Sequence, residues 1–89
     1  MIEHRENQFY IKEGQLIVAR LDYEVKSHVM YLHSVFVDPS LRGQGIARKL
    51  VEESIKFAQQ MNYKIVPICP YTVAYFNEHK EFETLLKKD

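Results

Sequence analysis

The stretch from Val29 to Ile68 constrains the fold of this chain more than any other. Val29, Tyr31, His33, Val35 and Val37 make one row of an extended segment, and Met30, Leu32, Ser34 and Phe36 make the other. Both rows are mostly apolar, the pattern of a strand covered on both faces. Asp38-Pro39-Ser40 ends it. From Gly45 to Met61, Ile46, Ala47, Leu50, Val51, Ile55, Ala58 and Met61 recur at helical spacing on one face, while Lys49, Glu52, Glu53, Lys56 and Gln60 fall mostly elsewhere. Asn62 suits the C-cap. Tyr63 to Ile68 is extended again, and Pro67 within it predicts a bulge, an edge or an opening of the ladder. A strand, helix, strand unit of this kind implies a parallel pair joined by a right-handed crossover.

The segments before it read as strands. Phe9 to Glu13 is short, Gly14-Gln15 supplies a turn, and Gln15 to Val25 follows. In that last segment Ile17, Ala19, Leu21, Tyr23 and Val25 form an apolar row that should face the core. Lys26-Ser27-His28 is a polar turn, so three strands form an antiparallel meander. Pro70 suits the first turn of a helix running to about His79. Phe82, Leu85 and Leu86 give the tail from Glu81 to Asp89 the spacing of one more amphipathic turn. The expected architecture is α+β, a mixed central sheet with helices packed on it, built as one domain over residues 1–89.

Charge and cysteine usage narrow the function. Twelve Lys and Arg balance twelve Asp and Glu, so the basic surplus of a general nucleic-acid binder is absent. No run approaches the ~20 apolar residues of a membrane span, and the polar start Met1 to Gln8 has no signal-peptide core. A soluble, cytoplasmic protein is the expectation. Cys69 is the single cysteine, which rules out an intramolecular disulfide and a zinc site of several thiolates. His4, His28, His33 and His79 lie too far apart in sequence for a helical metal motif, so no metal is expected.

The turn Arg42-Gly43-Gln44-Gly45-Ile46-Ala47 carries the chemistry. It joins a strand end to a helix start, where free N–H groups and the helix dipole make an anion site. Glycines let backbone approach a phosphate, and Arg42 adds charge beside it. The same glycines also serve a helix that merely needs a tight turn after a strand. The dinucleotide fingerprint does not fit, because Arg48 stands where its third glycine would be. The Gly-Lys-Ser/Thr of phosphate-binding NTPase loops is missing as well.

This turn resembles the acetyl-CoA signature of the GNAT superfamily of N-acetyltransferases, Gln/Arg-x-x-Gly-x-Gly/Ala, at Arg42, Gly45 and Ala47, preceded by Val37-Asp38-Pro39. More closely, the chain resembles the very short YjdJ-type branch. That likeness rests on His33-Ser34-Val35, Leu41 to Ala47, Pro67-Ile68-Cys69-Pro70-Tyr71, Tyr75 and His79, and covers about Phe9 to Leu86. The resemblance implies a minimal GNAT fold and acetyl-CoA as cosubstrate, transferring acetyl to an amine acceptor. The CoA pyrophosphate would rest on the amides of Arg42, Gly43, Gln44, Gly45, Ile46 and Ala47. The pantetheine arm would pair with backbone at Val35 and Val37. Arg48 and Lys49 would reach the 3′-phosphate or serve as exposed solvated charges.

The catalytic residues depart from the larger enzymes of that superfamily. With Ala74 as anchor, Tyr71 occupies the usual Asn position and Glu78 the position of the usual Tyr acid. Tyr75 is the substitute acid or a core tyrosine. Cys69 ends a strand just before a helix N-terminus, a position that favours thiolate. It would accept the acetyl group or orient the thioester, with His33 or His79 as proton partner, or be a buried, inert thiol. His33 would act as a base near neutral pH or sit in the core. His79 could equally be an exposed group at a helix end.

The two-residue turn between the first two expected strands leaves no room for the helices that wall the acceptor pocket in larger relatives. A shallow site predicts a large acceptor such as a protein amine, or weak general activity. The competing expectation is a CoA or acyl-CoA binding module with little turnover. The chain is expected to act as a monomer or weak homodimer.

Overall fold

Nine elements follow one another along the chain in a computed structural model that describes residues 1–88. Five strands, β1 (Glu3–Arg5), β2 (Gln8–Glu13), β3 (Leu16–Lys26), β4 (Val29–Val37) and β5 (Lys64–Pro67), form one sheet in sequential order. Helix α1 (Ile46–Met61) joins β4 to β5, and α2 (Pro70–Glu78) follows β5. Short 3-10 turns cover Pro39–Leu41 and Lys80–Leu85. The first four strands pair antiparallel, and β4 pairs parallel with β5. The expected mixed α+β sheet is therefore present.

Tight turns make the meander possible. Ser27 and His28 both take positive φ, 51° and 64°, the requirement of a two-residue hairpin whose twist matches its strands. Helix α1 stops where Asn62 turns left-handed, its N–H donating to the carbonyls of Ala58 and Gln59. The sequence predicts that cap. It does not predict β1, whose three residues are all exposed and carry no apolar alternation.

The core lies between one face of the sheet and the helices. Phe9, Ala19, Leu21, Tyr23, Met30, Leu32 and Ile65 meet Leu50, Val51, Ile55 and Ala58 of α1, with Tyr75 and Phe76 of α2. Leu21, Met30, Leu32, Leu50 and Ile65 are fully buried, each contributing about 1.5–3 kcal/mol by leaving water.

The expectation that β4 is covered on both faces is corrected by its second half. His33 is exposed and Phe36 is 36% exposed. The cause is a bulge: Asp22 pairs with Ser34, but the adjacent Tyr23 pairs with Leu32, leaving His33 as the extra residue. Met30 and Leu32 face the helices before it. After it Val35 and Val37, opposite Leu21 and Ala19, take over that face. Ser34 and Phe36 turn to the other side with Arg20 and Asp22. The strand is apolar on both rows because it changes face midway.

At the rim of the core the solvent-accessible His4 stacks on Phe9, ring centroids 4.0 Å apart, and meets the Phe57 ring edge-on at 4.6 Å, contacts that partly desolvate it. Its Nε2 lies 2.6 Å from the Tyr23 hydroxyl. Burial among these rings pulls its pKa below the ordinary 6.5, with Glu53 opposing. The folded state then binds fewer protons than the unfolded one below that value, so stability falls as pH drops through it. Thermal unfolding from pH 7.5 to 5 is expected to show a smaller acid loss of Tm in His4→Gln than in the parent chain. Equal slopes would remove His4 as the cause.

Candidate active site

The site begins where β4 ends. The Asp38 carboxylate accepts the Ser40 N–H at 3.0 Å and the Ser40 hydroxyl at 2.7 Å. Those bonds hold its pKa below the usual carboxylate value, so the turn keeps its charged cap at neutral pH. Past Leu41 the chain passes through Gly43 at φ 84° and Gly45 at φ 74°. A side chain in that region costs about 1–2 kcal/mol, which explains the residue type at both positions.

Gly45 is the N-cap of α1 and supplies no side-chain acceptor. Lys49 N–H, bonded to the Gly45 carbonyl at 3.1 Å, closes the first turn. The amides of Ile46, Ala47 and Arg48 therefore point out of the helix start with its dipole behind them, a site that favours an anion. Arg42 stands beside it and donates from Nε to the Val37 carbonyl at 3.3 Å. Arg48 pairs loosely with Glu52 at 3.9 Å.

Next to this helix start the sheet opens. The parallel ladder of β4 and β5 runs from Val29–Lys64 to Leu32–Pro67 and stops there. Ile68 and Cys69 N–H both turn to the Leu32 carbonyl, at 3.0 and 3.3 Å. Beyond that point β4 continues to Val37 paired with β3 only. Asp38 N–H faces β3, bonded to the Val18 carbonyl at 2.8 Å, so by alternation the backbone groups of Val37 and Val35 face the opening. Pro67, lacking a donor, is the last paired residue of β5.

A cleft of about 400 Å³ occupies this corner. Val35, Val37, Arg42, Gly43, Gly45, Ile46, Ala47 and Arg48 line it, joined by Leu41 and Tyr71. Of the residues the sequence assigns to cofactor binding, Gln44 and the alternative 3′-phosphate partner Lys49 are outside the lining. Tyr71 reaches the cleft from the first turn of α2, and burial pushes its phenol pKa up, with Arg48 opposing. Sequence reasoning gives Tyr71 no catalytic role: it is part of the Pro67-Ile68-Cys69-Pro70-Tyr71 segment that carries the resemblance, and it stands where an asparagine is usual. Its place immediately after a strand end and Pro70 is the signal that would have singled it out.

None of Cys69, His33, Tyr75 and the alternative proton partner His79 lines the cleft. Cys69, half-buried, precedes α2 with its Sγ 3.4 Å from the Thr72 hydroxyl, which in turn donates to the Cys69 carbonyl at 3.0 Å. His33 points from the bulge to Glu24, Nε2 to Oε1 3.3 Å; the alternative of a core histidine is excluded by its exposure. His79 lies at the other end of α2 from Cys69, ten residues away and so about 15 Å along the helix axis, which rules out direct proton exchange between them. Its Nδ1 donates to the Tyr75 carbonyl at 2.8 Å, leaving the lone pair of the neutral ring on Nε2. Tyr75, 6% exposed and stacked on His79 at 4.0 Å, belongs to the core and does not line the cleft. Burial raises its phenol pKa. Among the described residues no cluster of His, Cys, Asp and Glu could hold a metal ion, and no helix is long and apolar enough to cross a membrane.

A family model described as GCN5-related N-acetyl-transferase matches residues 8–85. The solution structure of a GCN5-like protein from Staphylococcus aureus superposes with a TM-score of 0.81 at 23% identity, covering 100% of this chain and 89% of that one. The crystal structure of Rv2747 from Mycobacterium tuberculosis, in complex with CoA and NLQ, superposes with a TM-score of 0.65 at 20% identity, covering 83% of this chain and 47% of the other. At such identities both likenesses concern the fold. A curated relative, an uncharacterized N-acetyltransferase, MJ1207, of Methanocaldococcus jannaschii, is 37% identical over 43 residues, which is 48% of this chain and 19% of the relative. The match thus spans about a fifth of that protein's length.

Proposed function

Because the chain belongs to the GCN5-related N-acetyl-transferase family, we propose that it moves the acetyl group of acetyl-CoA to an amine. The observation that carries this reading is the meeting, in one cleft, of the α1 helix start with the end of β4 that is open on its β5 side. The amides of Ile46, Ala47 and Arg48, with Arg42, hold the pyrophosphate. The backbone of Val35 and Val37 pairs with the pantetheine amides, which aims the thioester at the gap where β4 leaves β5.

There a neutral amine adds to the thioester carbonyl carbon, the C–S bond breaks, the amine gives up a proton to water, which replenishes the general acid, and the CoA thiolate takes a proton from that acid. Tyr71 supplies that last proton: it lines the cleft, and burial keeps its phenol protonated. This role passes to Tyr71 from Tyr75, which is packed in the core. Cys69, two residues past β5 at the N-cap of α2 and outside the cleft lining, orients the thioester from the edge of the opening or accepts the acetyl group. The Pro67-Ile68-Cys69-Pro70-Tyr71 segment supports membership of the short YjdJ-type branch, and the reaction proposed here is one expected in the cytoplasm.

A second reading, a CoA-binding module with little turnover, is favoured by a specific feature. β2 passes to β3 through Gly14-Gln15 alone, so no helix between them walls an acceptor. A large acceptor such as a protein amine fits that openness under the first reading. Calorimetric titration with acetyl-CoA, followed by thiol release in the presence of peptide and small amines, separates the two. Micromolar binding with amine-dependent release supports the transferase, and binding without release supports the module. Cys69→Ala is expected to keep affinity and lose most of the release; unchanged release would end its catalytic role.

A further inference from the structure

We propose that Asp22 is a positioning residue: from the sheet face opposite the helices it fixes the bulge in β4, and so decides which side chains reach the cleft. Only the affinity arm of this proposal rests on the acetyl-CoA reading above. The Asp22 carboxylate accepts Gln8 Nε2 at 2.8 Å on one oxygen and the Ser34 hydroxyl at 2.9 Å on the other, where it also pairs with Arg20. One side chain therefore ties β2, β3 and β4 together. Arg20 in turn stands 5.3 Å over the Phe36 ring. The Asp22–Ser34 pair is also the cross-strand pair that borders the bulge, since the next pair, Tyr23 with Leu32, skips His33.

That position matters because strand side chains alternate. Without the bulge, the face that carries Met30 and Leu32 would continue with Ser34 and Phe36, and Val35 and Val37 would turn away from the cleft they now line. Hydrophobicity does not choose between these registers, because Phe36 would bury as readily as Val37. The Ser34 hydroxyl does choose. In the observed register it donates to a carboxylate already organised by Gln8 and Arg20, and in the slipped one it would enter an apolar core without that partner.

The test uses the whole chain with Asp22→Ala, Ser34→Ala and Ser34→Thr. Amide hydrogen exchange is read by NMR, and acetyl-CoA affinity by calorimetry. In both alanine variants the amides of Ser34 and Phe36, which face β3, are expected to exchange about tenfold faster, while Leu50 and Val51 in α1 keep their rates. Acetyl-CoA affinity is expected to fall by a similar factor, and Ser34→Thr, which keeps the hydroxyl, to restore both. Exchange within about twofold of the parent in both alanine variants would overturn the proposal. So would an equal rise across β4 and α1, the mark of a general loss of stability. A parent chain that binds no acetyl-CoA would defeat the cofactor reading and leave exchange to decide the role of Asp22.

Discussion

Gly45→Glu is expected to abolish acetyl-CoA binding while the chain stays folded. The new carboxylate would start from a residue at φ 74° whose Cβ faces Arg48, 3.6 Å from a guanidinium nitrogen. It would bring negative charge to the amides of Ile46, Ala47 and Arg48 and draw Arg48 away from the cleft. Losing two charge-assisted hydrogen bonds, at about 1.5–3 kcal/mol each, weakens binding by at least about a hundredfold. Gly14→Glu is the control. Gly14 sits at φ 61° in the β2–β3 turn with nothing near its Cβ, so the backbone cost of about 1–2 kcal/mol is shared and the anion site is untouched. Calorimetry should find binding lost in the first variant and intact in the second. Equal affinity in both would remove the helix start as the phosphate site.

Leu32→Ala should be the most damaging change in the sheet. Leu32 is fully buried at the last position of β4 before its bulge, and truncation of such a leucine costs about 2.7–5 kcal/mol through lost transfer energy and the cavity left behind. A chain of 89 residues has a total stability of only about 4–13 kcal/mol at the usual value per residue, so the variant should sit close to its unfolding transition at 37 °C. Urea titration measures this directly. Phe36→Ala, on the exposed side after the bulge, should cost about 1 kcal/mol or less. A reversed ranking would mean that the strand changes face elsewhere.

Much of this was legible in the sequence because its signals were local and redundant. Helix α1 announced itself through apolar spacing and the Asn62 cap, and the glycine turn through residue types that only a left-handed backbone requires at Gly43 and Gly45. The bulge at His33 was not legible. A strand that changes face midway has the same composition as one buried on both sides, and only the partner register tells them apart. That error carried His33 toward a core role, when it lies outside and pairs with Glu24. β1 was missed because its three residues, Glu3-His4-Arg5, are polar and exposed and carry no apolar alternation. Tyr71 and Tyr75 are four residues apart on α2, and sequence could not say which would reach the cleft: packing against Phe76 and His79 takes Tyr75 into the core.

The tail after α2 bears on how the sheet ends. Lys64 Nζ holds the Thr84 carbonyl at 2.8 Å, Leu86 bridges to Ile65, and Lys87 N–H donates to the Ile65 carbonyl at 2.9 Å. The outer side of β5 is thereby occupied by the chain itself, where an apolar strand edge would otherwise template aggregation. The opposite boundary, β1, is three residues long and carries Glu3 and Arg5, a poor template for the same reason. With both margins blunted, the open hydrogen-bonding run described here is the internal one, on β4 beyond Leu32. An extended amide-bearing molecule that adds to this sheet is thus steered away from its rims and into the cleft.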